Sequence, residues 1–241
     1  MMLRSIPSSK VTDCANLIPM PWFTEDAYDF FRELELNNDR EWFEKNKKRY
    51  EANVKKPMEA FAAEMIPRMK EIDPAIDMTA KSALFRIYRD TRFSKDKRPY
   101  KTNAGMHVNS AHKGDLGRPG LYFHIDPRVM GIASGCYMIE TPKLKQIRTF
   151  ISQNLDEFDA LLADSHFKRC FGTIAGEKNK ILPPDLKAAA QRQPLLFNKQ
   201  FYYWAEYEVE DAGREDLPEF VMDHMRAAKP MNDFLTRALT P

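Results

Sequence analysis

The amino-acid sequence predicts an α+β fold, in which a mainly antiparallel central sheet is flanked by N-terminal and C-terminal helices. Apolar residues recur at helical spacing early in the chain, shorter segments rich in aromatic and β-branched residues follow, and helical spacing returns at the C-terminal end. Strands grouped between helices, without strict alternation, are typical of α+β proteins and not of doubly wound parallel sheets. We expect a single α+β domain over residues 22–241, preceded by an extended arm over residues 1–21.

Two helices are predicted before the strands. Thr24 can cap the first helix, whose first turn carries two acidic residues. Asn38 can cap the second helix, because Glu41 follows three residues later as in a capping box. Pro57 lies within the apolar stripe of this second helix and is expected to kink or divide it.

The predicted strands are residues 84–89, 120–126, 129–137 and 201–209. The short connection at residues 126–128 predicts a hairpin, and a hairpin implies antiparallel pairing. On the second of these strands Tyr122 and His124 share a face, and His107 is expected on a neighbouring strand. On the last strand Trp204 and Glu206 share a face in the same way.

The C-terminal region is predicted to be helical. Pro142 suits the first turn of one helix, and a further helix is expected over residues 155–162. The last 25 residues or so carry an amphipathic pattern interrupted by Pro230, which predicts one kinked helix or two short ones.

Composition excludes several classes of protein. The 241 residues are 43% hydrophobic and 30% charged, which is ordinary for a folded globular protein and too apolar for a disordered one. The net charge of +2 is too small to indicate an extensive nucleic-acid or membrane-surface partner. No apolar run approaches the roughly 20 residues of a membrane-spanning helix.

The cysteines indicate a reducing compartment. Cys14, Cys136 and Cys170 are odd in number and form no C-x-x-C pair, so we expect reduced thiols. The N-terminal residues lack the continuous apolar core of a secretory signal. The predicted localisation is therefore cytoplasmic, with no membrane partner and with the oligomeric state undetermined by the sequence.

Residues 81–101 carry an exceptional concentration of positive charge. Eight basic and two acidic residues give this segment a net charge of +6, which leaves −4 on the remaining 220 residues. Arginines at three-residue intervals can present forked donors to a planar anion, and lysines add point charge. The preferred interpretation is a pocket for a small anionic ligand that bears a phosphate or a carboxylate.

In this interpretation Arg89 and Arg92 grip the anion, Asp90 and Asp96 hold the arginines in place, and Tyr100 stacks or donates a hydrogen bond. The complete set of candidate ligand-binding residues is Arg86, Tyr88, Arg89, Asp90, Arg92, Asp96, Lys97, Tyr100 and Lys101. No catalytic residue and no cofactor is identified. If turnover follows binding, phosphoryl or acyl chemistry is the class that such a cationic site would assist.

Two alternatives remain open for this segment. Tyr88, Phe93 and Tyr100 interleave with the basic residues, as stacking groups do in proteins that bind single-stranded nucleic acid. Alternatively, Asp90 and Asp96 pair with the arginines in a structural ion-pair motif, and the protein acts through a protein-interaction surface.

Other chemical motifs are missing from the sequence. The chain contains no Walker-type phosphate loop, no dinucleotide fingerprint and no nucleophile elbow. A His/His/Asp site built from His107, His124 and Asp126 is conceivable, but no recognised ligand spacing supports it, so no metal site is predicted. Glu206 and Glu208 are more readily interpreted as a solvent-facing strand edge than as an acid and base pair.

Two long motifs resemble those of a known family. They are L-N-N-D-R-E-W-F-E-K-N-K from Leu36 and R-I-Y-R-D-T-R-F-S-K-D-K-R-P-Y-K-T from Arg86. They are similar to the hallmark of domain of unknown function 2461, found in bacteria and fungi, and the likeness extends over residues 23–239. The recurrent motif positions map to Asn38, Trp42, Phe43, Lys47, Arg86, Arg89, Asp90, Arg92, Phe93, Asp96, Lys97, Pro99, Tyr100 and Lys101. The resemblance implies a single-domain protein and carries over no catalytic residue.

Overall fold

The computed structural model describes residues 21–111 and 115–240. The predicted N-terminal arm therefore lies outside the described residues, apart from Pro21. The elements in chain order are α1 (Glu25–Leu36), α2 (Arg40–Tyr50), α3 (Lys56–Ile72), α4 (Ala80–Ala83), β1 (Ala104–Val108), β2 (Leu121–Ile125), β3 (Val129–Cys136), α5 (Thr141–Gln153), α6 (Leu155–Ala163), α7 (Ser165–Phe171), α8 (Lys187–Arg192), β4 (Phe201–Glu208) and α9 (Leu217–Ala238). This order confirms the predicted α+β fold.

The four strands form one antiparallel sheet in the order β1-β2-β3-β4. The predicted hairpin joins β2 to β3. Asp126 closes it, because its Oδ1 accepts hydrogen bonds from the backbone N–H groups of Arg128 and Val129, at 2.7 Å each. The chain between β3 and β4 contains α5 to α8, and α9 follows β4.

The two faces of the sheet have different surroundings. The inner face packs against α3 and α9, and its side chains, such as Phe123, Ile132 and Tyr203, are fully buried. Phe61 of α3 lies 4.7 Å from Phe123 between ring centroids. Because side chains alternate along a strand, the residues between these buried positions lie on the opposite face, which we call the open face.

The prediction of a strand over residues 84–89 is wrong. Leu84 pairs with Met106 of β1, whereas Tyr88 pairs with Tyr100, and each pairing is an isolated bridge. The segment thus pairs first with β1 and then with residue 100, and neither pairing extends into a continuous ladder of hydrogen bonds. The first strand of the sheet is instead β1, for which the sequence predicted only that His107 lies on a strand next to Tyr122.

The structure corrects one predicted helix cap and shows what happens at Pro57. The cap of α2 is Asp39, whose Oδ1 accepts from the Trp42 backbone N–H at 2.9 Å, and not Asn38. The regular α-helix predicted across Pro57 is interrupted just before it, because a π-helical segment, Glu51–Lys55, connects α2 to α3. The wider turn accommodates a proline that lacks an N–H and would crowd the carbonyl four residues earlier. At the C-terminal end, α9 continues through Pro230.

Within residues 21–111 and 115–240, no helix combines the length and the apolar character needed to cross a bilayer.

Candidate functional site

The basic segment forms a loop, residues 86–101, which we call the motif loop. Its base is closed by backbone hydrogen bonds, from Arg89 N to Pro99 O at 2.9 Å and from Lys101 N to Ile87 O at 2.8 Å. Leu84 and Phe85 attach the start of this segment to β1, since the Phe85 N–H donates to Gly105 O at 3.0 Å. The loop is therefore held against the edge of the sheet.

Two aspartates shape the far end of the motif loop. Asp90 and Asp96 each accept a hydrogen bond from the backbone N–H two residues later, at 3.2 and 3.0 Å. This is the side-chain turn that aspartate commonly makes. Asp90 also binds the guanidinium of Arg92 through both oxygens, and Asp96 binds Arg89 at 2.6 Å and Arg98 at 2.8 Å.

These ion pairs change the pKa of both carboxyl groups. Hydrogen bonds from the Arg92 side chain and backbone lower the pKa of Asp90 to about 2. Hydrogen bonds from Arg98 and Arg89 hold the pKa of Asp96 well below its ordinary value. The Arg92–Asp90 pair is exposed, with 77% of the Arg92 side chain accessible, and exposed pairs contribute little to stability. The Arg89–Asp96 pair is half-buried, with 26% of the Arg89 side chain accessible.

We expect the Asp96→Ala variant to unfold at a somewhat lower urea concentration than wild type, because the exposed pair with Arg98 contributes little and the half-buried pair with Arg89 contributes more. The turn that Asp96 closes is expected to open, so trypsin should cleave after Lys95 and Lys97 faster than in wild type. Urea unfolding and limited proteolysis measure the two effects. Asp77→Ala, which removes an exposed aspartate outside the motif loop, is the control. A variant of Asp96 that cannot fold would show instead that the ion pairs are a structural requirement.

The base of the motif loop is anchored in the core. Tyr100 is buried, and its ring stacks on Phe43 of α2 with centroids 4.0 Å apart and planes at 17°. Asn38 holds the backbone of Tyr100 with two hydrogen bonds, since its Nδ2 donates to Tyr100 O and its Oδ1 accepts from Tyr100 N, each at 3.1 Å. The two sequence motifs are therefore in direct contact.

A cavity of about 610 Å³ lies on the open face of the sheet, and we call it the sheet-face cavity. Its lining is largely aromatic and apolar, and it includes Phe85, His107, Tyr122, Tyr137, Tyr202 and Trp204.

Small residues on the strands make room for the large rings of this cavity. A Cβ added at Gly131 would lie only 2.2 Å from Trp204 Cη2, so the indole lies across a position that only glycine allows. Trp204 also lies beside Tyr122 and His124, at 6.1 and 5.0 Å between ring centroids. His124 Nδ1 is 3.2 Å from the hydroxyl of Tyr122.

Lys101 supplies a cation to the wall of this cavity. Its Nζ lies 5.3 Å from the ring centroid of Phe85. Burial lowers the pKa of Lys101, and the neighbouring positive charge of Arg86 lowers it further. Within the described residues 21–111 and 115–240, no carboxylate oxygen approaches Lys101 or Arg86 within 4.0 Å.

A second cleft of about 710 Å³ lies between α2, α3 and the start of the motif loop, and we call it the helix cleft. Arg86 and Tyr88 line it together with Lys47 and Lys81. Phe85 and His107 line both this cleft and the sheet-face cavity, so the two are adjacent. Positive charge from the motif thus reaches the boundary between them.

The histidines of the open face are neutral near pH 7. Burial lowers the pKa of His107 to about 4, against a weaker opposing effect of the Asp115 carboxylate. Burial also lowers the pKa of His124. Neutral imidazoles can offer one donor and one acceptor to a ligand, and they add no charge to the cavity.

A sequence model described as a conserved hypothetical protein, DUF2461, matches residues 26–234. The chain belongs to the DUF2461 family. The resemblance drawn from the two motifs is thereby confirmed as membership. No curated protein matches the sequence.

In this DUF2461 chain the nine candidate residues occupy four places. Lys101 lines the sheet-face cavity, and Arg86 and Tyr88 line the helix cleft. Tyr100 is buried beneath the loop. The remaining candidates lie in the loop itself: Arg89, Asp90, Arg92, Asp96 and Lys97. Arg89 and Arg92 are paired with aspartates, and Lys97 Nζ donates to Thr91 O at 2.9 Å.

Several residues around the sheet-face cavity were not among the candidates. Alternation along the strands placed Tyr122 with His124, and Trp204 with Glu206, on common faces, and the structure confirms both. The pairing of His107 with Tyr122 across β1 and β2 also confirms the expected neighbouring strand. The alternation of residues along the strands did not indicate that this face of the sheet stays uncovered by helices and forms a cavity.

Proposed function

We propose that this protein binds a small organic anion in the sheet-face cavity, with the phosphate or carboxylate of the ligand at Lys101 and Arg86. One observation carries the proposal. Lys101 lines the apolar sheet-face cavity and its neighbour Arg86 lines the adjoining helix cleft, and among the described residues neither has a carboxylate within ion-pair distance. Like charges in a partly buried position destabilise each other, and a bound anion relieves that repulsion.

The rest of the cavity favours a ligand with a flat apolar body. Aromatic side chains dominate binding sites for such groups, because rings stack and exclude water. Trp204 and Tyr122 offer ring faces or edges at the floor, and Phe85 lies at the boundary with the helix cleft. A volume of about 610 Å³ is within the range of small-molecule sites.

The other motif residues act indirectly in this proposal. The pairs of Asp90 and Asp96 with arginines hold the far end of the loop, and the stack of Tyr100 on Phe43 holds its base. Lys101 follows Tyr100 directly, so this anchor determines where its ammonium group lies. The proposal concerns binding and includes no reaction.

A thermal-shift panel tests the proposal on purified full-length protein. The probes are inorganic phosphate, aromatic carboxylates, sugar phosphates, nucleotides and a short single-stranded oligonucleotide. A ligand that binds only the folded state raises the melting temperature. For a probe that shifts wild type, we expect Lys101→Met to weaken binding by about 10- to 100-fold, the usual range for losing a hydrogen bond to a charged group.

Lys95→Met is the matched control, because it removes the same charge from an exposed position of the motif loop. It is expected to bind the probe as wild type does. Equal binding by wild type and Lys101→Met would refute the proposed site. A shift caused by the oligonucleotide alone, and lost steeply with salt, would favour the nucleic-acid alternative instead.

A further inference from the structure

A cluster of three metal-ligand side chains lies on the helical side of the sheet, away from the open face. His166 and Cys170 come from α7, and Asp223 comes from α9. One donor atom from each lies within 4.8 Å of the others. His166 Nε2 is 3.0 Å from Asp223 Oδ1, and Cys170 Sγ is 4.0 Å from Asp223 Oδ2.

We propose that His166, Cys170 and Asp223 bind a divalent transition-metal ion of the zinc type. In a tetrahedral zinc site the bond lengths are about 2.0–2.3 Å, which places neighbouring donor atoms roughly 3.3–3.8 Å apart. The donors here are already close to that spacing. Small side-chain rotations therefore suffice to surround an ion.

The backbone holds these donors in place. His166 and Cys170 are four residues apart, so they lie on the same face of α7. Phe167 and Phe171 anchor this helix on Tyr203 of β4, each at 5.0 Å between ring centroids. The donors of α7 therefore face α9 from a rigidly packed helix.

The cluster also differs from a Cys-His-Asp nucleophile triad. In such a triad the imidazole lies between the carboxylate and the nucleophile. Here the carboxylate of Asp223 is in the middle, with one oxygen toward His166 and the other toward Cys170. A central ion, contacted by one atom of each side chain, fits this arrangement better than proton transfer to the thiol does.

The chemistry of the donors selects the metal. A thiolate and an imidazole favour zinc, cobalt or nickel over magnesium or calcium. On binding, the thiol loses its proton to solvent, and the thiolate and carboxylate together balance the 2+ charge.

The fourth position faces solvent. His224, the next residue to Asp223, uses both ring nitrogens elsewhere, at 2.6 Å from the Tyr207 hydroxyl and 2.8 Å from Phe220 O. It is therefore no ligand. The side chains of His166 and Asp223 are 32% and 50% exposed, so water can complete the coordination. Three protein ligands and a water are typical of an open zinc site. The sequence predicted no metal site because no recognised ligand spacing is present, and Asp223 joins His166 and Cys170 only in the folded chain.

Cobalt titration tests the site directly, because Co²⁺ bound to a thiolate gives an intense near-ultraviolet charge-transfer band. We expect wild type to develop this band with one equivalent of Co²⁺ and to lose it when Zn²⁺ is added. The band should be absent from Cys170→Ser, which keeps the size of the side chain. His166→Ala and Asp223→Asn should weaken Zn²⁺ binding by at least about 10- to 100-fold, the cost of losing even an outer partner of a metal ligand.

Cys136→Ala is the control, because it removes a buried thiol from β3 and is expected to keep the band. Thermal unfolding of each variant checks that it is folded. If His166→Ala proves unstable, Asp223→Asn still tests the site, because the asparagine keeps a hydrogen-bond partner for His166. A band retained by Cys170→Ser, or no band in wild type, would overturn the proposal. This test does not depend on the anion site, so the two proposals can fail separately.

Discussion

Replacing Phe43 by alanine is expected to lower the free energy of unfolding by about 3–5 kcal/mol. Phe43 is 1% exposed and contacts three other rings besides Tyr100, so the substitution leaves a cavity that the surrounding side chains cannot fill. It also removes the ring on which Tyr100 stacks. Urea unfolding measures the loss of stability, and tryptic cleavage within residues 86–101 reports the release of the motif loop.

Phe93→Ala is the matched control for this prediction. Phe93 belongs to the same motif but is 95% exposed at the far end of the loop. Removing an exposed ring usually changes stability by no more than about 0.5 kcal/mol. If the two variants lost similar stability, Phe43 would not be the anchor described above.

The protein is also expected to lose roughly 3 kcal/mol of stability between pH 6.5 and pH 4 because of His107. Burial lowers the pKa of His107 from 6.5 to about 4 in the folded state. Between these values the unfolded chain binds a proton at this imidazole and the folded protein does not. Protonation therefore favours the unfolded state, and the free energy of unfolding falls as the pH falls through this window.

His107→Gln isolates this contribution, because glutamine is polar and does not titrate. Urea unfolding at several pH values is expected to show a shallower loss of stability in the variant than in wild type. His124, whose pKa burial also lowers, contributes to both proteins and cancels in the difference. Asp90 affects stability only at lower pH. Its pKa is lowered from 3.8 to about 2 in the folded state, so its contribution to the free energy of unfolding is lost only as the pH falls below 3.8. Parallel curves for the two proteins would contradict the prediction.

Much of the fold could be predicted from local patterns. The helical spacing around Phe30 and Phe31, and the turn signal at residues 126–128, depend on neighbours in the sequence, and the structure confirms them. The errors lie where tertiary contacts override local preference. Asn38 has the chemistry of a helix cap, yet it holds the backbone of Tyr100, 62 residues away, while Asp39 caps α2.

The candidate site shows the same division. Charge counting located the motif loop, and the pairing of Asp90 and Asp96 with arginines was an expectation that the structure bears out geometrically. Counting charges in the sequence could not show which cations have a carboxylate partner, because the pairing depends on how the loop folds. Lys101 and Arg86 become neighbours, beside the sheet-face cavity and the helix cleft, only after the loop is attached to β1.

The sequence by itself determined the α+β arrangement of helices before and after a group of strands, the concentration of positive charge in residues 81–101 and the alternation that puts Tyr122 and Trp204 on one face of their strands. These properties are set by residue type and spacing. Only the tertiary structure decided that this face remains open, that Lys101 meets it, and that Asp223 approaches His166 and Cys170. Each of these depends on packing between segments far apart in the chain, where the burial of large apolar surfaces selects one arrangement among many that local patterns permit.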